Sequence, residues 1–138
     1  MLAGSCGCGR VRYQITGPLI GPITQCHCWR CRKQSGASFG TTAGVARGDF
    51  AVVAGADLLR AWQSSPGVER VFAGCCGSPI FKRDAADPEE LGFRLGTLDT
   101  DPGVMVEMHF HAGSKVPWVE ICDDLPREGG GPPFGAQD

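Results

Sequence analysis

Apolar and polar residues alternate over short stretches of this chain, and the stretches are cut off by glycine and proline rather than running on with a helical period. Val11-Arg12-Tyr13-Gln14-Ile15 is the clearest case, with apolar side chains on one face of a predicted strand and polar ones on the other. After the breaks at Gly17-Pro18 and Gly21-Pro22, Ile23-Thr24-Gln25 predicts a second strand that delivers Cys26. Trp29 to Ser35 reads as a turn of helix. Ser38 to Val45, made of small and β-branched residues, reads as a strand again. Short strands are predicted at Phe50 to Val53, Leu59 to Gln63 and Val68 to Phe72, with Gly55 and Ser64-Ser65-Pro66-Gly67 between them. Ile80-Phe81-Lys82 and Leu91 to Leu95 flank a polar excursion at Ala85 to Glu90, a surface loop or hairpin tip. Val104 to His111 predicts one more strand, ahead of a loop bounded by Gly113 and Pro117.

Composition sharpens this to a mainly β fold. Twenty-one glycines and ten prolines in 138 residues imply many turns and short strands. The length suits a single domain able to bury a core without covalent staples. From Pro126 onward, Glu128-Gly129-Gly130-Gly131-Pro132-Pro133 has the makeup of a disordered or loosely draped segment, so residues 1–126 are expected to form the domain and 127–138 a Gly/Pro-rich tail. Thirteen basic and fifteen acidic residues leave a net charge of −2, which argues against a nucleic-acid partner. No signal-like start and no apolar run long enough to span a bilayer is present, so the expectation is a cytoplasmic protein with no membrane partner.

Eight cysteines change the picture most. In a reducing compartment they point to metal or redox chemistry rather than to disulfides, and their clustering favours metal. Cys26, Cys28 and Cys31 form C-x-C-x-x-C within one short turn, where three thiols can face a common centre. Zinc takes thiolates tetrahedrally, and three protein ligands leave a fourth position for water or substrate; the alternative is a closed site with its fourth ligand from elsewhere in the chain. Arg30, Arg32 and Lys33 lie beside these thiols. Positive charge there lowers thiol pKa and attracts an anionic ligand, the alternative being a solvated basic face. Cys6 and Cys8 cannot fill a four-coordinate shell alone, and Cys76, with or without Cys75, is their natural complement in a separate structural site. Adjacent side chains on an extended backbone point apart, so one donor is expected from the Cys75-Cys76 pair. His109 and His111 fall on one face of a predicted strand, as ligands or as structural residues. His27, between two donors, is expected to point away from the ion and orient the turn. Cys122 reads as a small buried hydrophobe, and Trp29 and Trp118 as core residues or the wall of a substrate cleft.

Several separated motifs then agree. Gly4-Ser5-Cys6-Gly7-Cys8-Gly9 with Val11-Arg12-Tyr13, Cys26-His27-Cys28-Trp29-Arg30-Cys31-Arg32-Lys33, Cys76-Gly77-Ser78-Pro79, Gly96-Thr97-Leu98-Asp99, Lys115 to Trp118 and Asp124-Leu125-Pro126 occur in this order. With them the chain resembles the glutathione-dependent formaldehyde-activating enzyme family, which also includes centromere protein V. The resemblance implies a β-tent zinc-binding fold of short antiparallel sheets, two zinc ions, and thiol-adduct chemistry of the carbon–sulfur lyase class. It implies Cys26, Cys28 and Cys31 as holders of a catalytic zinc, and Cys6, Cys8 and Cys76 as holders of a structural one. The chain departs from the family's Phe-Cys-x-x-Cys-Gly run, because Ala73 follows Phe72 and the extra cysteine stands at Cys75. A three-coordinate structural zinc, recruitment of Cys75, and absence of that ion remain as alternatives.

The function this implies is a zinc-dependent enzyme that forms or cleaves adducts of glutathione, or a related thiol, with formaldehyde or another small carbonyl. Zinc would lower the thiol below its unperturbed pKa of about 8.5, and Arg30, Arg32 or Lys33 would clamp the carboxylates of glutathione. No residue stands out as a general base. Small aldehydes also react with thiols unaided, which keeps open a non-catalytic carrier of thiol adducts. A zinc-stabilised interaction module is a third reading, and a dithiol redox enzyme using Cys75 and Cys76 a fourth.

Overall fold

The computed structural model describes residues 1–138; strands form at most of the predicted stretches, and also at Leu2–Ser5 and Arg127–Glu128, where none was predicted. They are β1 (Leu2–Ser5), β2 (Arg12–Ile15), β3 (Leu19–Cys26), β4 (Gly40–Ala46), β5 (Phe50–Ala54), β6 (Leu59–Ser65), β7 (Val68–Ala73), β8 (Pro79–Asp84), β9 (Asp87–Arg94), β10 (Met108–Phe110) and β11 (Arg127–Glu128). The α-helix α1 covers Trp29–Ser35, so the fold is mainly β. Within the domain read from the length, the chain forms two compact units that alternate in sequence: Met1–Gly21 with Ala43–Gly103, and Pro22–Thr42 with Val104–Asp138.

The first unit pairs β1 with β2 and β2 with β5, both antiparallel, and continues β6 through β9 as an antiparallel meander. Tyr13 and Ile15 of β2 face inward as the alternation requires, and join Val11, Val45, Val71, Ile80 and Phe93 in a core of residues no more than 3 % exposed. The Tyr13 ring stacks on Phe50 with centroids 4.7 Å apart and meets Phe93 edge-on at 6.2 Å. Its hydroxyl pairs with the Thr97 hydroxyl at 2.7 Å, which answers the one polar atom this ring brings into the core. Gly4 lies against the same ring, where a Cβ would fall 2.1 Å from Tyr13 Cζ, so only glycine fits.

The second unit is built differently. Strand β10 is sandwiched between β3 and β11, both parallel to it, with Phe110 opposite Cys26. Helix α1 is capped by the Cys28 sulfur, which accepts from Cys31 N–H at 3.3 Å, and ends where Gly36 N–H donates to Arg32 carbonyl at 2.7 Å. Its buried apolar residues are few: Ile23, Cys31 and Val116. Alongside them His27 and His109 are buried to 0 % and 2 % exposure.

Three expectations are corrected here. Gly21-Pro22 bends β3 without ending it, because Gly21 takes the bend at φ 69°. The polar stretch 85–90, by contrast, holds the hairpin tip that was one of its two readings, with Ala85-Ala86 turning between β8 and β9 and Asp87–Glu90 already in β9. The strand expected over Val104 to His111 shrinks to Met108–Phe110; His111 has φ 54° and falls outside it, so His109 and His111 do not share a strand face. The tail, expected to be disordered or loosely draped, instead pairs β11 with β10, and its Phe134 and Asp138 meet Trp118 and Trp29 within the second unit.

Candidate metal centres and the site around helix α1

Two groups of thiols form, one in each unit. In the first, the sulfurs of Cys6, Cys8, Cys75 and Cys76 all lie within 4.8 Å of one another. Cys6 and Cys8 are 3.6 Å apart, Cys6 and Cys75 3.9 Å, and Cys8 and Cys75 3.3 Å. A disulfide needs about 2.05 Å, and none of the eight cysteines is in one. A tetrahedral zinc with Zn–S bonds of about 2.3 Å sets its sulfurs about 3.8 Å apart, so this donor set fits such an ion. The turn between β1 and β2 supplies Cys6 and Cys8, held by Cys6 N–H to Val11 carbonyl at 3.0 Å and Gly9 N–H to Cys6 carbonyl at 2.9 Å. The expectation of a single donor from Cys75-Cys76 assumed an extended backbone. Between β7 and β8 the chain instead turns, with Gly77 N–H bonded to Ala73 carbonyl at 2.7 Å, and the turn brings both side chains to the same side.

The electrostatics of this group are uneven. Ser78, through its hydroxyl and its backbone N–H, draws the Cys76 thiol down to about 5. Burial opposes ionisation of Cys6, as does the Cys76 thiol, yet the Val11 N–H at 3.2 Å with the Cys8 and Cys75 thiols outweighs them and holds Cys6 below its ordinary value. The Cys8 thiol, above all, pushes Cys75 up to about 12. Sulfurs packed this closely resist sharing negative charge, and a divalent cation at their centre removes that resistance.

In the second unit, Cys26, Cys28 and Cys31 gather within the same 4.8 Å limit, with no histidine, carboxylate or further cysteine among them. Strand β3 delivers Cys26 at its end, and the first turn of α1 puts Cys28 and Cys31 on one side, three residues apart. The Cys28 and Cys31 thiols, and then burial, push the Cys26 thiol far above its ordinary value. These three residues also fit a thiolate-binding divalent metal, with one tetrahedral position not filled by the chain. The two cysteine groups can thus each hold a metal ion.

His27 sits between Cys26 and Cys28 but outside the donor group. Its Nε2 is 3.0 Å from His109 Nδ1, and His109 Nε2 is 3.0 and 3.1 Å from the Asp123 carboxylate oxygens. Burial, with the charges of His109, Lys115 and Arg127 behind it, lowers His27 to about 4. The His109 hydrogen bond holds the Asp123 carboxyl below the usual range. His27 Nδ1 is buried with no hydrogen-bond partner. His111 joins neither thiol group, and Cys122, expected to be buried, is exposed beside the Glu120 carbonyl.

The basic residues of α1 separate in role. Arg30 lies 4.4 Å above its neighbour Trp29, and the Arg30 guanidinium and the Trp29 indole N–H both donate to one oxygen of Asp138, at 2.9 and 2.8 Å. The Trp29 N–H, more than the arginine, keeps the Asp138 carboxyl below the usual range. Arg32 stacks its guanidinium over Phe134 at 4.8 Å while its Nε–H is buried and finds no acceptor. Lys33 is exposed. Phe134 meets Trp118 edge-on at 5.4 Å, and Trp118, itself bonded to the Ser38 hydroxyl at 3.0 Å, walls a cleft of about 580 Å³ with Lys115, Glu120 and Arg127. Sequence reasoning missed Asp123, Phe134 and Asp138. Each meets its partner across a long stretch of chain, and none lies in a motif.

No helix is long and apolar enough to cross a membrane. The solved structure of a Rhodobacter sphaeroides protein is similar at a TM-score of 0.60 and 28 % identity, over 72 % of this chain and 91 % of that one. A Halomonas elongata protein that bears the name of a glutathione-dependent formaldehyde-activating enzyme is 33 % identical over 128 residues, 88 % of this chain and 81 % of that one. The family model described as glutathione-dependent formaldehyde-activating enzyme matches residues 1–114, a span that contains every cysteine of both thiol groups. By that match and that relative, the chain belongs to the glutathione-dependent formaldehyde-activating enzyme family.

Proposed function

We propose that the chain binds glutathione or a related small thiol at Cys26, Cys28 and Cys31, and forms or cleaves its adduct with formaldehyde or another small carbonyl, a carbon–sulfur lyase reaction. The observation that carries this reading is the incomplete donor set: three converging thiols and no fourth protein donor. Zinc held by these three residues supplies a positive charge that stabilises the thiolate form of an incoming thiol near neutral pH. The thiolate sulfur attacks the carbonyl carbon, a C–S bond forms as the C=O π bond opens onto oxygen, and that oxygen takes up the proton the thiol released, to give with formaldehyde an S-hydroxymethyl product. The reverse step breaks the same bond and returns the proton.

The chain's own residues bind and orient. Arg32 holds a buried N–H donor in want of an acceptor, and a substrate carboxylate supplies one. Arg30 already serves Asp138, and Lys33 adds charge at the exposed end. The cleft beside Trp118 has the size of a small-ligand pocket. In this reading Cys6, Cys8, Cys75 and Cys76 hold a second, structural zinc, which ties together residues 69 positions apart. The cytoplasm suits a chain whose cysteines work reduced.

One observation favours a second reading, a carrier of thiol adducts. The donor group consists of cysteines alone, with no imidazole or carboxylate among them to move a proton. Rates at fixed glutathione and formaldehyde, with and without protein, decide between the two. Enzyme-like acceleration that Arg32→Ala weakens is expected; glutathione binding without acceleration would favour the carrier.

A further inference from the structure

The turn that carries Cys26 and Cys28 has little apolar packing to hold it still. The second unit buries Ile23, Cys31 and Val116, whereas the first buries most of the large apolar side chains. Apart from the Phe39 ring, which meets the His27 ring at 5.4 Å, what fixes the turn is a line of hydrogen bonds. The His27 backbone N–H donates to Phe110 carbonyl at 2.9 Å, and its ring reaches His109 at 3.0 Å. His109 is anchored in turn by its own N–H to Pro126 carbonyl at 2.9 Å and by its ring to Asp123. Asp123 Oδ1 also accepts from Leu125 N–H at 3.0 Å, which sets the carboxylate in place.

Donor and acceptor chemistry gives this line a direction. A carboxylate only accepts, so His109 Nε2 carries the proton toward Asp123. His109 Nδ1 is then an acceptor, and His27 Nε2 must donate to it. Each ring is held in one tautomer and one orientation from a half-exposed carboxylate inward to a fully buried imidazole. Both neighbours of that imidazole in sequence are thiol donors.

We propose that Asp123 and His109 are positioning residues for the three-thiol group, acting through the His27 ring to hold Cys26 and Cys28 at coordination distance. This rests on the reading of Cys26, Cys28 and Cys31 as a metal donor set. A metal site is defined by ligand distances within about 0.2 Å of their ideal values, so a turn free to shift weakens binding without loss of any ligand. Outer partners that orient metal ligands are worth about 10- to 100-fold in affinity.

The test uses the full chain loaded with cadmium, whose NMR spectrum gives one resonance per thiol group, together with chelator competition for zinc. Glutathione identifies the three-thiol resonance by shifting it. Asp123→Ala is expected to weaken metal binding at that group about tenfold or more and to leave the four-thiol resonance and its affinity unchanged. Asp123→Asn keeps an oxygen to accept from His109 and is expected to restore binding close to the parent level. Unchanged affinity in both Asp123→Ala and His109→Gln overturns the proposal, as does equal weakening of both groups, which marks a general loss of folding. If neither cadmium resonance responds to glutathione, the thiol-binding reading has failed, while the positioning role is still decided by the affinity of the resonance that Cys31→Ser removes; a single resonance in the unmutated protein overturns both.

Discussion

The two thiol groups are made of the same side chain and differ in the number of donors, where those donors come from in the chain, and what packs behind them. The four sulfurs of Cys6, Cys8, Cys75 and Cys76 come from two turns far apart in sequence, in a unit that already has a packed core around Tyr13 and Phe93. A metal there completes its shell with protein and acts as a cross-link. The three sulfurs of Cys26, Cys28 and Cys31 come from one short segment, in a unit whose buried centre is a pair of imidazoles rather than a cluster of large apolar side chains. A metal there would be left with a position to fill, and behind its ligands lie the hydrogen-bonded His27 and His109 rings, with Phe39 against His27. The lesson is that the count of donors alone does not assign a role. Where the donors come from, and what packs behind them, does.

The sharpest way to break this contrast is to remove one donor from each group. Cys31→Ser is expected to abolish glutathione binding and lower turnover by on the order of 100-fold or more, with the metal of the four-thiol group retained; metal analysis and isothermal titration check both halves. Cys75→Ser, by contrast, is expected to leave thiol binding intact and lower the melting temperature by on the order of 8 °C, the equivalent of about 2 kcal/mol, as calorimetry would show. If the two substitutions had interchangeable effects, the division of labour would be wrong.

The smallest effect is spectroscopic and concerns the core of the first unit. Tyr13 is the chain's single tyrosine, so phenolate absorbance reports it alone. Burial, opposed by the Thr97 hydrogen bond and assisted by Asp99, raises its pKa from 10.0 to about 12. A buried phenol that keeps its proton longer than the unfolded chain does contributes stability fully present below pH 10 and lost as pH rises from 10 toward 12. Titration of the folded protein is expected to show a midpoint near 12, falling to about 10 in denaturant. The same midpoint in Cys75→Ser would show that apolar packing, not the metal, holds this core.

Much of this was legible in the amino-acid order. Alternation gave β2 with Tyr13 and Ile15 inward, and the C-x-C-x-x-C spacing gave the three-thiol group, because both depend on residues close together in the chain. The limits of the strands near Gly21 and His111 were not legible, since backbone bends with positive φ decide them. The joint placement of Cys75 and Cys76 depends on a turn whose geometry no composition announces. Asp123 escaped notice for a simpler reason: its partner His109 lies 14 residues away, and an aspartate beside a second aspartate looks like ordinary surface. The buried state of His27 was equally hidden, although its place between two thiols correctly suggested a ring turned away from them.

The central claim is that Cys26, Cys28 and Cys31 hold a divalent metal incompletely and leave room for a thiol from outside. Titration of the cobalt-substituted protein with glutathione tests it most directly, because sulfur-to-cobalt absorption reports each new thiolate ligand. The account predicts two cobalt ions per chain, with the bands of one of them changing and saturating at one glutathione per chain. Bands that do not respond to glutathione, or a second ion that already has four sulfur ligands before any is added, would contradict it.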